Sequence, residues 1–172
     1  LPLHHPVMVA EYVSTLDNLS GGKVLFGVGQ GYRDSEFISF GIDKRERRGR
    51  LVEGLQVIRK LWTEDAVTFH GKYFHLEKAT CLPKPRQRPG PPILMGADTV
   101  NTVAKVPEVA DHWIASRRHS KTFLREAVPA YKAALERQGK VFKGLFMFRD
   151  LCIADTTREA EQRIKEGYER RY

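Results

Sequence analysis

The stretch KVLFGVGQGY, residues 23–32, is a short apolar run that leads directly into closely spaced glycines. Such a run is typical of a strand covered on both faces, as in parallel sheets. The glycines allow a ligand to approach the backbone at the carboxyl end of that strand, although a tight turn without a ligand is the alternative. A dinucleotide-binding fingerprint is excluded, because Tyr32 stands where that pattern needs its third glycine.

Helical and strand patterns alternate along the rest of the chain. Apolar spacing and capping residues predict helices at residues 6–19, 44–62, 101–110 and 120–138, and from Thr156 onward. Strands are predicted at residues 23–28, 92–95, 112–115 and 145–154. Alternation of this kind favours parallel strands joined by helical crossovers.

Four parallel strands are too few to close a barrel. The simplest architecture is therefore a (β/α)8 barrel (TIM barrel) of which the first strands and the last strand are absent from this chain. A free-standing open α/β sheet is the alternative.

The chain begins at Leu1 without Met and ends at Tyr172 within a helical pattern, so we expect further chain on both sides. Residues 1–172 are predicted to form one partial-barrel domain, with a proline-rich insertion at about 63–91 that contains a small hairpin.

The composition is that of a globular domain, with 41% hydrophobic and 29% charged residues. No apolar run approaches the roughly 20 residues that cross a bilayer, and no secretion signal is visible. We expect a soluble, cytoplasmic protein without membrane partners. The net charge of +8 comes from basic residues that alternate with acidic ones, which favours a solvated surface over a nucleic-acid partner.

Metal ligands are not evident in the sequence. Cys81 and Cys152 lie far apart without a zinc-site pattern, and two buried free thiols are expected. His70 and His75 lack a carboxylate at metal spacing, so packing or surface roles are favoured for both. His5 precedes the first helix and would face the site of a barrel, so it is a candidate acid–base residue, with little support from the sequence.

A second candidate ligand turn follows the strand at 92–95. Gly96, Ala97, Asp98, Thr99 and Thr102 place backbone N–H groups and two hydroxyls at the start of a helix, an arrangement suited to a phosphate. Asp98 is the expected N-cap, with Thr99 and Thr102 facing the anion. Capping without a ligand is the alternative. Late in the same helix, Pro107 is expected to bend or end it.

Five basic residues crowd the start of the helix predicted at 44–62. The helix dipole disfavours cations there by a few tenths of a kcal/mol each. A phosphate would offset this cost, and Arg47 or Arg48 would give it a bidentate grip. The alternative is a solvated charged turn that Glu46 partly compensates.

A succession of sequence blocks resembles the central part of the luciferase-like monooxygenases, over nearly the whole chain. The blocks are LPLHHPV (1–7), LDNLSGGK (16–23), FGVGQGY (26–32), EF (36–37), FG (40–41), ER (46–47), LW (61–62), PKP (83–85), PPI (91–93) and ADHW (110–113). Two departures are Asp111-His112-Trp113, where the family has aspartate-glycine-tryptophan, and Pro107 in a helix that is usually alanine-rich. The substrate side of the pocket is expected to differ accordingly.

The resemblance implies a barrel that binds reduced FMN, or in some branches the deazaflavin F420, at its C-terminal mouth. It implies that Ala97, Thr99 and Thr102 hold the flavin phosphate and that Arg47 or Arg48 reaches it. Gly29, Gln30, Gly31 and Tyr32 would lie beside the flavin or its phosphate.

The resemblance favours an FMNH2-dependent monooxygenase that acts on a small organic substrate, forms homo-oligomers and receives reduced FMN from a flavin reductase. The alternatives are an F420-dependent hydride-transfer enzyme and a non-catalytic flavin-binding relative. Residues before Leu1 are expected to supply the catalytic groups.

Overall fold

A computed structural model describes residues 1–169, so the helical pattern expected up to Tyr172 extends beyond the described residues. The helices are α1 (Pro6–Leu19), α2 (Asp34–Ser39), α3 (Arg47–Thr63), α4 (Val100–Val103), α5 (Val106–Val109), α6 (Lys121–Arg137) and α7 (Thr157–Glu169), and a 3-10 turn (Lys44–Glu46) precedes α3. The strands are β1 (Phe26–Val28), β2 (Val67–His70), β3 (His75–Ala79), β4 (Ile93–Gly96), β5 (His112–Ala115) and β6 (Phe146–Met147).

The main sheet is parallel throughout, with the order β1-β4-β5-β6. In register, Val28 pairs with Met95, and Met95 pairs with Trp113. Strands β2 and β3 form the hairpin predicted within the insertion, and they pair antiparallel. The strands of the main sheet lie side by side in the same order in which they follow one another along the chain. Neighbouring strands in the wall of a (β/α)8 barrel are connected in this way.

Helices cover one face of the main sheet. Side chains on this face belong to the hydrophobic core, where Phe26 meets Trp62 of α3 at 6.1 Å between ring centroids, and Trp113 meets Tyr131 of α6 at 5.7 Å. Leu94 and His112 pair in register and point to the opposite face, because side chains alternate along a strand. The sheet therefore has a helix-covered outer face and an inner face, as a barrel sector does.

Helix α1 anchors both α3 and the proline-rich part of the insertion. Trp62 donates its indole N–H to the carbonyl oxygen of Ala10 at 3.1 Å. The buried carboxylate of Asp17 accepts hydrogen bonds from the backbone N–H of Gln87 at 2.8 Å and from its side-chain amide at 2.7 Å. Burial acts to raise the pKa of Asp17, but these hydrogen bonds outweigh it and hold the pKa below its usual value.

Two predictions of local structure were wrong, and one helix was not predicted. The helix expected at 101–110 is two short helices, and Pro107 lies in the first turn of α5, where its missing N–H costs no helical hydrogen bond. The strand expected at 145–154 is limited to Phe146–Met147, which pair with Ile114 and Ala115 of β5. Helix α2 was not predicted, since Phe37 is its one buried side chain.

Among residues 1–169, no helix combines the length and the apolarity needed to cross a bilayer.

Candidate functional site

The turns that follow β1 and β4 lie side by side, because the two strands are parallel and Val28 pairs with Met95. Between them is a cavity of about 340 Å³, which we call the cradle. It is lined by Gly29, Gln30, Gly31, Tyr32, Arg47, Gly96, Ala97, Asp98, Thr99 and Thr102. The fold thus brings together every residue predicted to bind the cofactor except Arg48, although the residues come from three separate segments.

Glycines in the cradle leave the backbone exposed, because they have no side chains to cover it. A Cβ added at Gly29 would meet no protein atom within 4 Å, and one added at Gly96 would meet only the carbonyl oxygen of Val28, at 3.8 Å. Gly31 differs, because its φ of +74° favours glycine and a Cβ there would lie 3.2 Å from the Phe37 ring. The first two glycines leave room for a ligand, and the third shapes the turn.

The β4–α4 turn is closed by its own threonines. Thr99, and not Asp98 as predicted, is the N-cap, because Thr99 is the extended residue directly before the helix begins at Val100. The backbone N–H of Thr102 donates to Thr99 Oγ1 at 3.2 Å, and the N–H of Thr99 donates to Thr102 Oγ1 at 3.1 Å. The two hydroxyls also contact each other at 2.8 Å, so the walls of the cradle are preformed.

Asp98 points instead toward the neighbouring turn. Its carboxylate, 81% exposed, lies 3.0 Å from Nε2 of His119 in the β5–α6 turn. The His119 side chain is 7% exposed and packs on Phe123 with 4.3 Å between ring centroids. His119 Nδ1 is buried and has no hydrogen-bond partner among residues 1–169. His119 was not predicted as a site residue. Its position just after the carboxyl end of β5 is the one feature of the sequence that points to it.

A second cavity, of about 710 Å³, opens along the β5–α6 turn. Tyr32 and Asp98 line both this cavity and the cradle, while Ser116–Ser120 and Phe123 form the rest of its wall. A molecule in the second cavity would therefore touch the same residues as a molecule in the cradle.

The basic run at residues 44–50 divides into cations with partners and cations without them. Lys44 contacts Asp34 at 2.7 Å, Arg45 contacts Asp43 at 2.6 Å, and Arg50 contacts Glu46 at 3.4 Å. Arg47 and Arg48 make no hydrogen bond or ion pair with any residue in the described range 1–169, which leaves both guanidinium groups available to a ligand.

A third cavity, of about 650 Å³, lies over this run, and we call it the basic cavity. It is lined by Gln30, Asp34, Lys44, Arg45, Arg47 and Arg48. The hydrogen bond and charge of Lys44 hold the pKa of Asp34 below its usual value, and the charge of Arg47 adds to this effect.

The sequence model of one protein family, described as luciferase-like monooxygenase, matches residues 1–172. The chain belongs to this luciferase-like family. It is 29% identical to an F420-dependent glucose-6-phosphate dehydrogenase of Nakamurella multipartita over 91% of this chain and 47% of that protein. It is 28% identical to an FMNH(2)-dependent dimethylsulfone monooxygenase of Pseudomonas putida over 94% of this chain and 45% of that protein. The chain thus spans about half the length of these relatives.

The fold of this luciferase-like chain matches a solved structure of the same kind. The monooxygenase RslO1 from Streptomyces bottropensis superposes with a TM-score of 0.89, at 26% identity, over 98% of this chain and 53% of that one. The predicted (β/α)8 barrel class is therefore confirmed, and the cradle lies at the carboxyl ends of barrel strands, where such barrels build their sites.

Asp111-His112-Trp113 stands where the family has aspartate-glycine-tryptophan. Its side chains contact β4 and the turn that follows it. The carboxylate of Asp111 accepts from the backbone N–H of Ile93 at 2.8 Å and from Arg59 at 3.1 Å. Trp113 donates its indole N–H to the carbonyl oxygen of Ala97 at 3.2 Å. Both contacts hold β4 and the turn after it.

His5 has a structural role in this luciferase-like chain. Its Nδ1 accepts from the backbone N–H of Val7 at 3.4 Å, which caps α1, and its ring lies 5.6 Å from that of Phe74. It is not among the residues that line the cradle. Its acid–base role stays a prediction.

Within residues 1–169, no group of three or more His, Cys, Asp or Glu side chains could hold a metal ion. The two cysteines are free. Cys81 is buried, and burial raises its pKa, whereas Cys152 is only partly buried, contrary to the prediction of two buried thiols.

Proposed function

We propose that the cradle binds the phosphate of a flavin-type cofactor and that the protein is an oxidoreductase acting on a small organic substrate. The observation that carries this proposal is the cradle itself: the turn after β1, expected to let a ligand approach the backbone, and the turn after β4, expected to suit a phosphate, line one cavity. When bound, the cofactor supplies the redox chemistry, while the protein supplies binding and orientation.

Three kinds of group in the cradle fit a phosphate. Gly29 and Gly96 leave the backbone open to close approach. The hydroxyls of Thr99 and Thr102 are held in place at its wall by their capping contacts. Arg47 provides a guanidinium that makes no hydrogen bond or ion pair within residues 1–169, and its planar fork matches two phosphate oxygens.

The second cavity is the proposed substrate side. Because it shares Tyr32 and Asp98 with the cradle, a substrate there would lie next to the cofactor. Phe123 gives it an apolar wall, and backbone and side-chain polar groups of residues 116–120 line the remainder. This mixture suits a small organic molecule, since binding sites combine apolar surface with a few placed polar groups.

Two reactions are candidates. An FMNH2-dependent monooxygenase, served by a flavin reductase, is supported by the likeness to RslO1 and to the dimethylsulfone monooxygenase. An F420-dependent oxidoreductase is supported by the relative that carries this cofactor in its name. A flavin-binding relative without catalysis is the remaining alternative.

The test uses the full-length protein. FMN, FMNH2 and F420 are titrated separately while cofactor absorbance and protein fluorescence are followed, and O2 uptake is measured with FMNH2 under turnover. We expect saturable binding that Arg47→Gln weakens by about tenfold or more, because a charge-assisted bidentate contact is lost. Arg125→Gln, on the exposed surface of α6, is the matched charge control. Absence of saturable binding by all three cofactors would contradict the proposal.

A further inference from the structure

We infer that Asp98 and His119 select the substrate together: Asp98 accepts a hydrogen bond from a substrate hydroxyl group, and His119 is the positioning residue that orients the Asp98 carboxylate. This inference rests on the proposed function, because it takes the second cavity as the substrate side. It identifies the substrate class as a small organic molecule with an apolar body and a hydroxyl group.

The Asp98 carboxylate is the acceptor that a substrate in the second cavity would meet. Among the described residues that line this cavity, Asp98 is the one with a carboxylate. Its side chain is 81% exposed. Oδ1 lies 3.0 Å from His119 Nε2, whereas Oδ2 makes no hydrogen bond within residues 1–169. Because each carboxylate oxygen can accept hydrogen bonds, Oδ2 remains available to a ligand.

His119 is held rigidly by its packing. Its side chain is almost fully buried, and its ring lies 4.3 Å from the Phe123 ring and 5.9 Å from the Trp113 ring, between centroids. An ionised carboxylate only accepts hydrogen bonds, so His119 donates from Nε2. A donor that cannot turn thereby restricts an exposed Asp98 side chain that would otherwise sample several rotamers.

Stability alone does not account for this arrangement. His119 Nδ1 is buried and has no hydrogen-bond partner in the described part of the chain, which costs free energy. The contact that Nε2 makes in return is with a mostly exposed carboxylate, and solvent screens it. A buried side chain that costs stability and fixes one exposed group is typical of a binding site.

The rest of the cavity wall indicates which donor group Asp98 would bind. The Tyr32 and Phe123 rings offer apolar surface to the body of a ligand. Arg117 and Arg118 line the same cavity, and their charge disfavours an ammonium group there. The charge of Asp98 disfavours a carboxylate beside it. A neutral hydroxyl group avoids both repulsions and can donate to Asp98 Oδ2.

The experiment compares probes that share one ring and differ in the polar group: cyclohexanol, cyclohexanone, cyclohexylamine and cyclohexanecarboxylate. Dissociation constants are measured on the full-length protein by NMR titration, which suits weak ligands. Asp98→Asn removes the charged acceptor, and Asp65→Asn is the matched control at an exposed position. His119→Phe keeps a ring and removes the donor, whereas His119→Gln keeps a donor. Thermal unfolding confirms that the variants are folded.

We expect cyclohexanol to bind about fivefold or more tightly than cyclohexanone, because a site with a charged acceptor rejects an analogue without the hydroxyl hydrogen. Asp98→Asn should reduce this preference to about twofold or less, and Asp65→Asn should retain it. His119→Phe should weaken cyclohexanol about threefold and leave cyclohexanone unchanged, and His119→Gln should restore most of the loss. A purely structural role for His119 would weaken both probes equally.

Several results would overturn the inference: equal affinity for cyclohexanol and cyclohexanone, tighter binding of the amine or the carboxylate, an unchanged preference in Asp98→Asn, or no saturable binding of any probe. FMN, FMNH2 and F420 are titrated into the same samples without a probe. Saturable cofactor binding together with any of these results leaves the proposed function intact, whereas failure of the cofactors and the probes overturns both.

Discussion

His119 Nε2 lies 3.0 Å from Asp98 Oδ1, and this contact joins the turn after β4 to the turn after β5. One partner is almost fully buried and the other is mostly exposed. The contact therefore ties the cradle to the second cavity through a side chain whose other nitrogen, Nδ1, has no hydrogen-bond partner in the described part of the chain. Two substitutions measure what this contact contributes to stability.

His119→Leu is expected to leave stability unchanged or to raise it by up to about 1 kcal/mol, because it removes a buried nitrogen without a partner at similar volume. Asp98→Ala should change stability by less than about 1 kcal/mol, since the carboxylate is mostly exposed and solvent screens its contact with His119. Urea unfolding measures both. A loss above about 2 kcal/mol for His119→Leu would show that the contact with Asp98 is a main stabilising interaction.

Gly29→Ala should weaken cofactor binding, whereas Gly31→Ala should lower stability. The added methyl at Gly29 faces open space, so we expect an unchanged melting temperature and a weaker affinity for the cofactor phosphate. Gly31 has a positive φ and close contact with Phe37, so alanine should cost about 1–2 kcal/mol of stability. Thermal unfolding of the ligand-free protein and cofactor titration measure the two effects. An unchanged affinity in folded Gly29→Ala would argue against close approach of the cofactor.

The lowered pKa of Asp17 predicts how the stability of the fold declines at acid pH. Its pKa is lowered in the folded protein, so its carboxylate stabilises the fold above the unfolded pKa of about 3.9, and this stabilisation is lost as the pH falls through the folded pKa. Asp17→Asn should reduce stability at neutral pH and flatten its decline between about pH 5 and pH 2. Asp65→Asn, at an exposed position, serves as the control. Parallel curves for Asp17→Asn and the unmodified protein would contradict this role.

The two cysteines should react at very different rates with a thiol reagent under native conditions. Cys152 is partly exposed, whereas Cys81 is buried and its pKa is raised by burial, so less of it is in the reactive thiolate form. We expect Cys152 to be modified first and Cys81 only on unfolding. Mass spectrometry of timed samples, with Cys152→Ser as the comparison, measures the order of modification. Rapid modification of Cys81 in the native protein would show that the packing around α1 and α3 opens readily.

Sequence patterns predicted those helices and strands whose bounds are marked by their own residues. Helix α1 has proline at its start and glycines after its end, and β5 is a compact apolar run, so both were predicted with the right bounds. The two turns that line the cradle were singled out for a similar reason, because glycines follow β1 directly, and a glycine and two threonines follow β4.

The remaining features depend on partners that are distant in sequence. Strand β6 is limited to the two residues that pair with Ile114 and Ala115 of β5, and no local pattern in residues 145–154 reveals that limit. His119 becomes buried only because Trp113 and Phe123 enclose it, with ring centroids 5.9 and 4.3 Å away. The division of the basic run into paired and unpaired cations likewise depends on where Asp34 lies in space.

The cradle and the basic cavity share Gln30 and Arg47, but the rest of their lining comes from different stretches of chain: the glycine and threonine turns after β1 and β4 line the cradle, whereas Asp34, Lys44, Arg45 and Arg48 line the basic cavity. Exchanges at residues 44, 45 and 48 would therefore change the charge over the basic cavity while the backbone of the two turns stays as it is.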